Sequence, residues 1–157
     1  MDETELTDRL ELQQLLASYA EAIDAKRWDD LDHVFTPDAT LDYTSSAGPK
    51  ARGSYQEMKA WLRQMLDTGM FPMTQHLLGL PLISVTGDTA TCRTSYHNPM
   101  GVATDDEGYY AVGGTTLHVF VVGGWYNDRC IRTAAGWRIA EKIELQAFTT
   151  GGFPPMR

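Results

Sequence analysis

The chain has 157 residues, 43% of them hydrophobic, and a net charge of -8, with a sequence pI near 4.8. That size and composition suit one domain with a real core and exclude a disordered chain. The acidic balance excludes a nucleic-acid partner, whose phosphates it would repel; the apolar runs are too short for a membrane span, and the acidic start MDETELTDRLE is unlike a signal peptide, so the expected location is the cytoplasm.

The first predicted element is a helix from about Thr4 to Ala25. Leu6, Leu10, Leu12, Leu15, Leu16, Tyr19 and Ile23 recur along it and leave an acidic opposite face. A short helix follows over Trp28 to Phe35, stopped by Pro37. Ala39 to Tyr43 alternates as a short strand, and Ser45 to Gly53 reads as a turn-rich loop. Ser54 and Glu57 form a capping box that opens a third helix, with Tyr55, Met58, Trp61, Leu62, Met65 and Leu66 as its apolar stripe. Beyond Gly69 the segments Met73 to Val85, Thr89 to His97, Tyr109 to Val122 and Trp137 to Phe148 are rich in β-branched and aromatic residues and read as strands. Gly87-Asp88 and Ala134-Ala135-Gly136 mark turns. Helices first and long antiparallel strands second point to an α+β fold, in which a curved sheet wrapped over helices leaves a pocket for a small apolar molecule.

Asp24 is expected at the C-terminal end of the first helix, where the helix dipole disfavours a carboxylate, and beside Ile23 of the apolar stripe. It needs a partner there, unless it turns out to water. His76 lies in the otherwise apolar strand TQHLLG. Alone it reads as a packed histidine. Joined to Asp24 it would be a general base, because the carboxylate would fix the ring tautomer and raise the basicity of the free nitrogen. The two are far apart in sequence, so spacing does not reveal the pairing. His33 and the pair Arg129 and Arg132 read as solvated surface, and Cys92 and Cys130 as idle thiols. The four histidines show no metal-ligand spacing, so no metal is expected.

The stretch YAEAIDAKRWDDLDHVFTPDATLDY, from Tyr19 to Tyr43, resembles the opening of scytalone dehydratase and SnoaL-like proteins. TQHLLG resembles their histidine strand, and WYNDRCIRTAAGWRIAEK their closing hairpin. On these stretches the chain is similar to the SnoaL-like and scytalone dehydratase-like members of the nuclear transport factor 2-like superfamily. The resemblance implies one SnoaL-like domain over residues 1–157, with a cone-shaped, curved antiparallel sheet packed on N-terminal helices (a cystatin-like α+β barrel). It implies an Asp24–His76 pair and a substrate-contacting Tyr43. The pattern also has a tyrosine where this chain has Ile23, and an asparagine where it has Val122. Tyr19, one turn before Ile23, could replace the missing hydroxyl. A second catalytic histidine of the pattern falls near His97. His118, which shares strand parity with the inward-pointing Phe120 and Val122, is the alternative.

The function so implied is a cofactor-independent lyase, a dehydratase, acting on a small cyclic polyketide- or terpenoid-like substrate. Asp24, His76, Tyr43 and His97 would be catalytic; Tyr19, Ile23, His118, Phe120 and Val122 would bind substrate. An isomerase or cyclase is the alternative, and a noncatalytic small-molecule-binding or assembly subunit is the alternative of another class. Gly151-Gly152-Phe153-Pro154-Pro155-Met156 would close the pocket mouth or fray. The expected partners are the small-molecule substrate and a second or third copy of the chain. The apolar residues Val119 to Trp125 point to a homodimer or homotrimer packed through the outer sheet face.

Overall fold

A computed structural model describes residues 2–67, 71–104, 110–112 and 114–152. Helix α1 runs over Glu3–Asp24, opened by Asp2, whose carboxylate accepts the Glu5 N–H. Its buried face passes through Asp8, Leu12, Leu15, Leu16, Tyr19 and Ile23. Leu6 and Leu10, expected on that stripe, are exposed; each sits two residues, roughly 200°, away from a buried position. The member of the stripe that hydropathy misses is Asp8. Both its oxygens accept hydrogen bonds from Arg132, at 2.6 and 2.8 Å, and one also accepts the Trp137 indole N–H. Arg132 is thus a tie between helix and sheet, not a solvated surface residue.

A 3-10 helix over Trp28–His33 leads into strand β1, Phe35–Asp42. The expectation of a helix to Phe35 and a strand from Ala39 is corrected here, because Pro37 lies inside the strand. Its missing N–H is harmless there, since the ladder shifts register between Phe35 and Thr40. The stretch read as a loop holds the short helix α2, Thr44–Ala47, and strand β2, Arg52–Ser54. Helix α3, Tyr55–Leu66, starts at the capping box formed by Ser54 and Glu57.

The strands that follow are β3 (Met73–Thr74), β4 (Leu77–Leu78), β5 (Leu82–Thr86), β6 (Thr89–Ala103), β7 (Tyr110–Val112), β8 (Thr115–Thr133) and β9 (Gly136–Thr150). The single strand expected from Met73 to Val85 is three pieces laid along β6. Tyr109 lies outside the described residues. The sheet order is β2-β1-β9-β8-β6-β3, with β4 and β5 also on β6 and β7 on β8. All these pairings are antiparallel except β1 with β9, which is parallel. The sheet is therefore mixed and unclosed, not a purely antiparallel barrel. Residues 43–135 separate β1 from β9, which leaves room for the long crossover a parallel pair requires. α1 and α3 cover the concave face, and the core lies between. Among the described residues no helix is long and apolar enough to cross a membrane.

Candidate active site

The site begins at the edge of the sheet. Thr74 pairs with Met100 and Leu77 with His97, so the same register sets Gln75 opposite Pro99 and His76 opposite Asn98. Gln75 donates its N–H to the Pro99 carbonyl; Pro99 has no N–H to return. The next pair, His76 and Asn98, is of the non-hydrogen-bonded kind, in which side chains stand closest and backbone N–H groups point away from the partner. The His76 N–H points instead to the end of α1, where Asp24 Oδ2 accepts it at 2.6 Å. Asp24 Oδ1 lies 2.6 Å from the His76 ring Nδ1 and accepts the Thr74 hydroxyl at 2.9 Å. Burial pushes the Asp24 carboxyl up, but the bonds from the His76 ring, the His76 N–H and Thr74 together hold it below its ordinary value. The partner missing from the helix-end reading of Asp24 is thus supplied by an edge strand. The His76 and Asp24 side chains are 6% and 21% exposed.

With Nδ1–H committed to Asp24, the other ring nitrogen, Nε2, accepts a bond at 3.2 Å from the Asn98 amide Nδ2. Asn98 is buried, and its Oδ1 has no partner. Asn98 lies directly across from Val122 in the β6–β8 ladder. The amide that the resemblance sought at Val122 therefore sits on the neighbouring strand. Sequence reading missed it by one residue: it singled out His97, which is exposed on the opposite face near Phe148. One step along a strand reverses the side, so His97 cannot share the site.

His76 and Asn98 form part of the wall of a cavity of about 400 Å3, which also has Tyr19, Ile23, Tyr43, Phe120 and Val122 in its lining. That volume is within the usual range for small-molecule pockets. The Tyr19 and Tyr43 hydroxyls are 2.9 Å apart, and the Tyr43 ring stacks on Trp61. Tyr19 thus stands beside Tyr43, as a replacement for the hydroxyl absent at Ile23 would have to. Burial, and then the charge of neighbouring tyrosine and carboxylate groups, raises both phenols well above the ordinary value, so both remain hydrogen-bond donors. The Tyr19 and His76 ring centres are 6.3 Å apart, edge-on, and both rings line the cavity, so one ligand group can contact both.

The floor of the cavity is unexpectedly polar. Tyr126 stacks on Tyr96, whose hydroxyl donates to Glu144 Oε1 at 2.7 Å. Ser46 of α2 donates to the other Glu144 oxygen. Beneath, Lys142 lies 4.0 and 3.8 Å from the ring centres of Tyr19 and Tyr126 and donates to Asp128 at 3.1 Å. Hydropathy gives no sign that these charged strand residues are interior; their alternation with Ile143 and Leu145 would suit a surface face equally well.

His118 shares the parity of Phe120 and Val122 but is not part of the cavity wall. Its Nε2 lies 3.1 and 2.9 Å from the carbonyls of Gly151 and Gly152, which makes it an anchor for the end of β9. The proposed closing segment from Phe153 onward lies outside the described residues. Cys92 and Cys130 are both buried and unbridged. Among the described residues no three side chains converge as metal ligands.

The model of the SnoaL-like domain matches residues 4–142. An uncharacterized protein of Mycobacterium tuberculosis is 44% identical over 92% of this chain and 88% of its own. A crystal structure of a protein from Kribbella flavida superposes with a TM-score of 0.78 at 26% identity, covering 92% of this chain and 94% of the other. A candidate scytalone dehydratase from Novosphingobium aromaticivorans superposes with a TM-score of 0.78 at 16% identity, covering 99% and 94%; that likeness carries the fold alone. Fold and cavity together describe a small-molecule-binding or catalytic domain.

Proposed function

We propose that this chain, which belongs to the SnoaL-like domain family, is a cofactor-independent lyase that dehydrates a small, largely apolar cyclic substrate. The observation that carries the reading is the Asp24–His76 pair, a carboxylate taken by three donors and a ring whose second nitrogen is left as an acceptor at the cavity. In the proposed reaction His76 Nε2 takes a proton from a carbon next to a carbonyl. The weak 3.2 Å contact from Asn98 yields to the substrate. Asp24 holds the ring in place and stabilises the imidazolium that forms. The Tyr43 and Tyr19 hydroxyls donate to the developing oxyanion or to the departing hydroxyl. The imidazolium returns its proton to the leaving oxygen, so that one water departs and the enzyme is restored. Neither His97 nor His118 has a part in this scheme. Retention of the oxygen would turn the same proton transfer into double-bond isomerisation or ring closure.

The test is incubation of cyclic hydroxy-ketones and polyketide intermediates with wild type and variants, followed by mass spectrometry. Loss of one water identifies dehydration, and unchanged mass with a new retention time identifies isomerisation or cyclisation. His76→Ala should lose turnover by about 10²- to 10⁴-fold with the fold intact. Asp24→Asn should keep the shape and weaken the rate. A His76→Ala protein that converts a true substrate at the wild-type rate refutes the mechanism. A noncatalytic binding subunit would convert none of the panel, and each variant would alter ligand affinity alone.

A further inference from the structure

Glu144 has no part in the proton transfer, yet it lies in the lining of the same cavity. It is 7% exposed. Its two partners, Tyr96 and Ser46, are neutral hydroxyls. The nearby cation, Lys142, is committed to Asp128 and to two aromatic rings. Among the described residues no Lys, Arg or His pairs with Glu144, whereas Asp8 and Asp128 each have a cation and Asp24 has the His76 ring. A carboxylate has about four acceptor positions, and here two are filled. A buried charge left in that condition is costly unless further donors reach it, and the open side is the cavity. His76 is on the sheet edge joining β3 and β4, and Glu144 is on β9, which β6 and β8 separate from that edge. Three strand spacings of about 4.8 Å put the two backbones roughly 14 Å apart, and the curvature of the sheet turns both side chains into one space.

We propose that the Glu144 carboxylate is a second binding point of the cavity, receiving a hydroxyl of an uncharged ring compound at the end opposite His76 and excluding compounds that carry a carboxylate there. The inference rests on the cavity being the ligand site, as in the proposed function, but not on any turnover. A compound held at both ends would bring a ring carbon to His76 while its distal hydroxyl donates to Glu144. Free fatty or aromatic acids would meet a like charge instead.

The experiment is calorimetric titration of the full chain with three probes of one skeleton, namely 2-naphthol, its methyl ether and 2-naphthoate. 2-Naphthol should bind roughly tenfold or more tightly than the ether, since a hydrogen bond to a charged acceptor is gained, and naphthoate should bind weakest. Glu144→Gln should bring naphthol and its ether to within about threefold and strengthen naphthoate by roughly tenfold. A purely structural Glu144, tying Ser46 to Tyr96, would lower the melting temperature of Glu144→Gln without changing the ranking, and that result overturns the proposal. Equal binding of naphthol and ether by wild type overturns it without recourse to any variant, as does absence of naphthol binding at millimolar concentration. Failure of the catalytic reading has a different signature: the probe ranking survives, and His76→Ala leaves turnover unchanged.

Discussion

The Lys142–Asp128 pair under Tyr19 and Tyr126 invites a quantitative test. Lys142 is 1% exposed. Burial pushes the Asp128 carboxyl up, and the Lys142 ammonium opposes that rise. Asp128→Asn keeps the shape and removes the counter-charge. Breaking a buried pair from one side costs about 3–5 kcal/mol. A loss of that size corresponds to a fall of roughly 6–20 °C in Tm for a chain of this length. Urea titrations of both proteins at pH 7 measure the gap between them. A gap below about 1 kcal/mol would refute the account of Lys142 as a buried cation dependent on Asp128.

Three further outcomes are expected. Asp24 is held below its ordinary carboxyl value of 3.8, so its stabilising effect is full above that value and is lost as pH falls through the lower folded value. The stability gap between wild type and Asp24→Asn should therefore close toward the acid end of a urea series, and a gap that persists there contradicts the assignment. Gly124 sits at a bulge between β8 and β9, where an added Cβ would run into the Leu145 carbonyl oxygen, whereas at Gly123 it would meet only the end of the Phe148 ring. Calorimetry should find Gly124→Ala destabilised by at least about 1–3 kcal/mol and Gly123→Ala less affected; the reverse order would show that the bulge is not rigid. On the outer sheet face Leu82 is 74% exposed, with Trp125, Leu145 and Phe148 also exposed, and Leu80, in the link between β4 and β5, is 90% exposed. We propose self-association there as a dimer or trimer, which Leu82→Glu combined with Leu145→Glu should reduce to a monomer in light scattering; a monomeric wild type at micromolar concentration disproves it.

What the sequence determined by itself is local. The Ser54–Glu57 capping box, the Gly87-Asp88 turn and the helix that ends at Asp24 each depend on residues within a few positions of one another, and each stands where the spacing indicates. The resemblance added the Asp24–His76 pair by analogy, since no local signal links residues so far apart. Tertiary structure decided the rest. Whether a charged strand residue faces water or the core depends on register against a distant strand, and a slip of one residue reverses it. For that reason His97 is outside and Asn98 inside, and Lys142 and Glu144 are buried although their sequence surroundings suit a surface. Arg132 reads as solvent-facing until α1 brings Asp8 against it, and Ala39 to Tyr43 reads only as a short strand, with nothing local to show that β1 pairs in parallel with β9. Local sequence encodes backbone conformation through short-range sterics and hydrogen bonding, whereas the facing of a side chain in this sheet is set by pairings between strands that only the folded chain brings together.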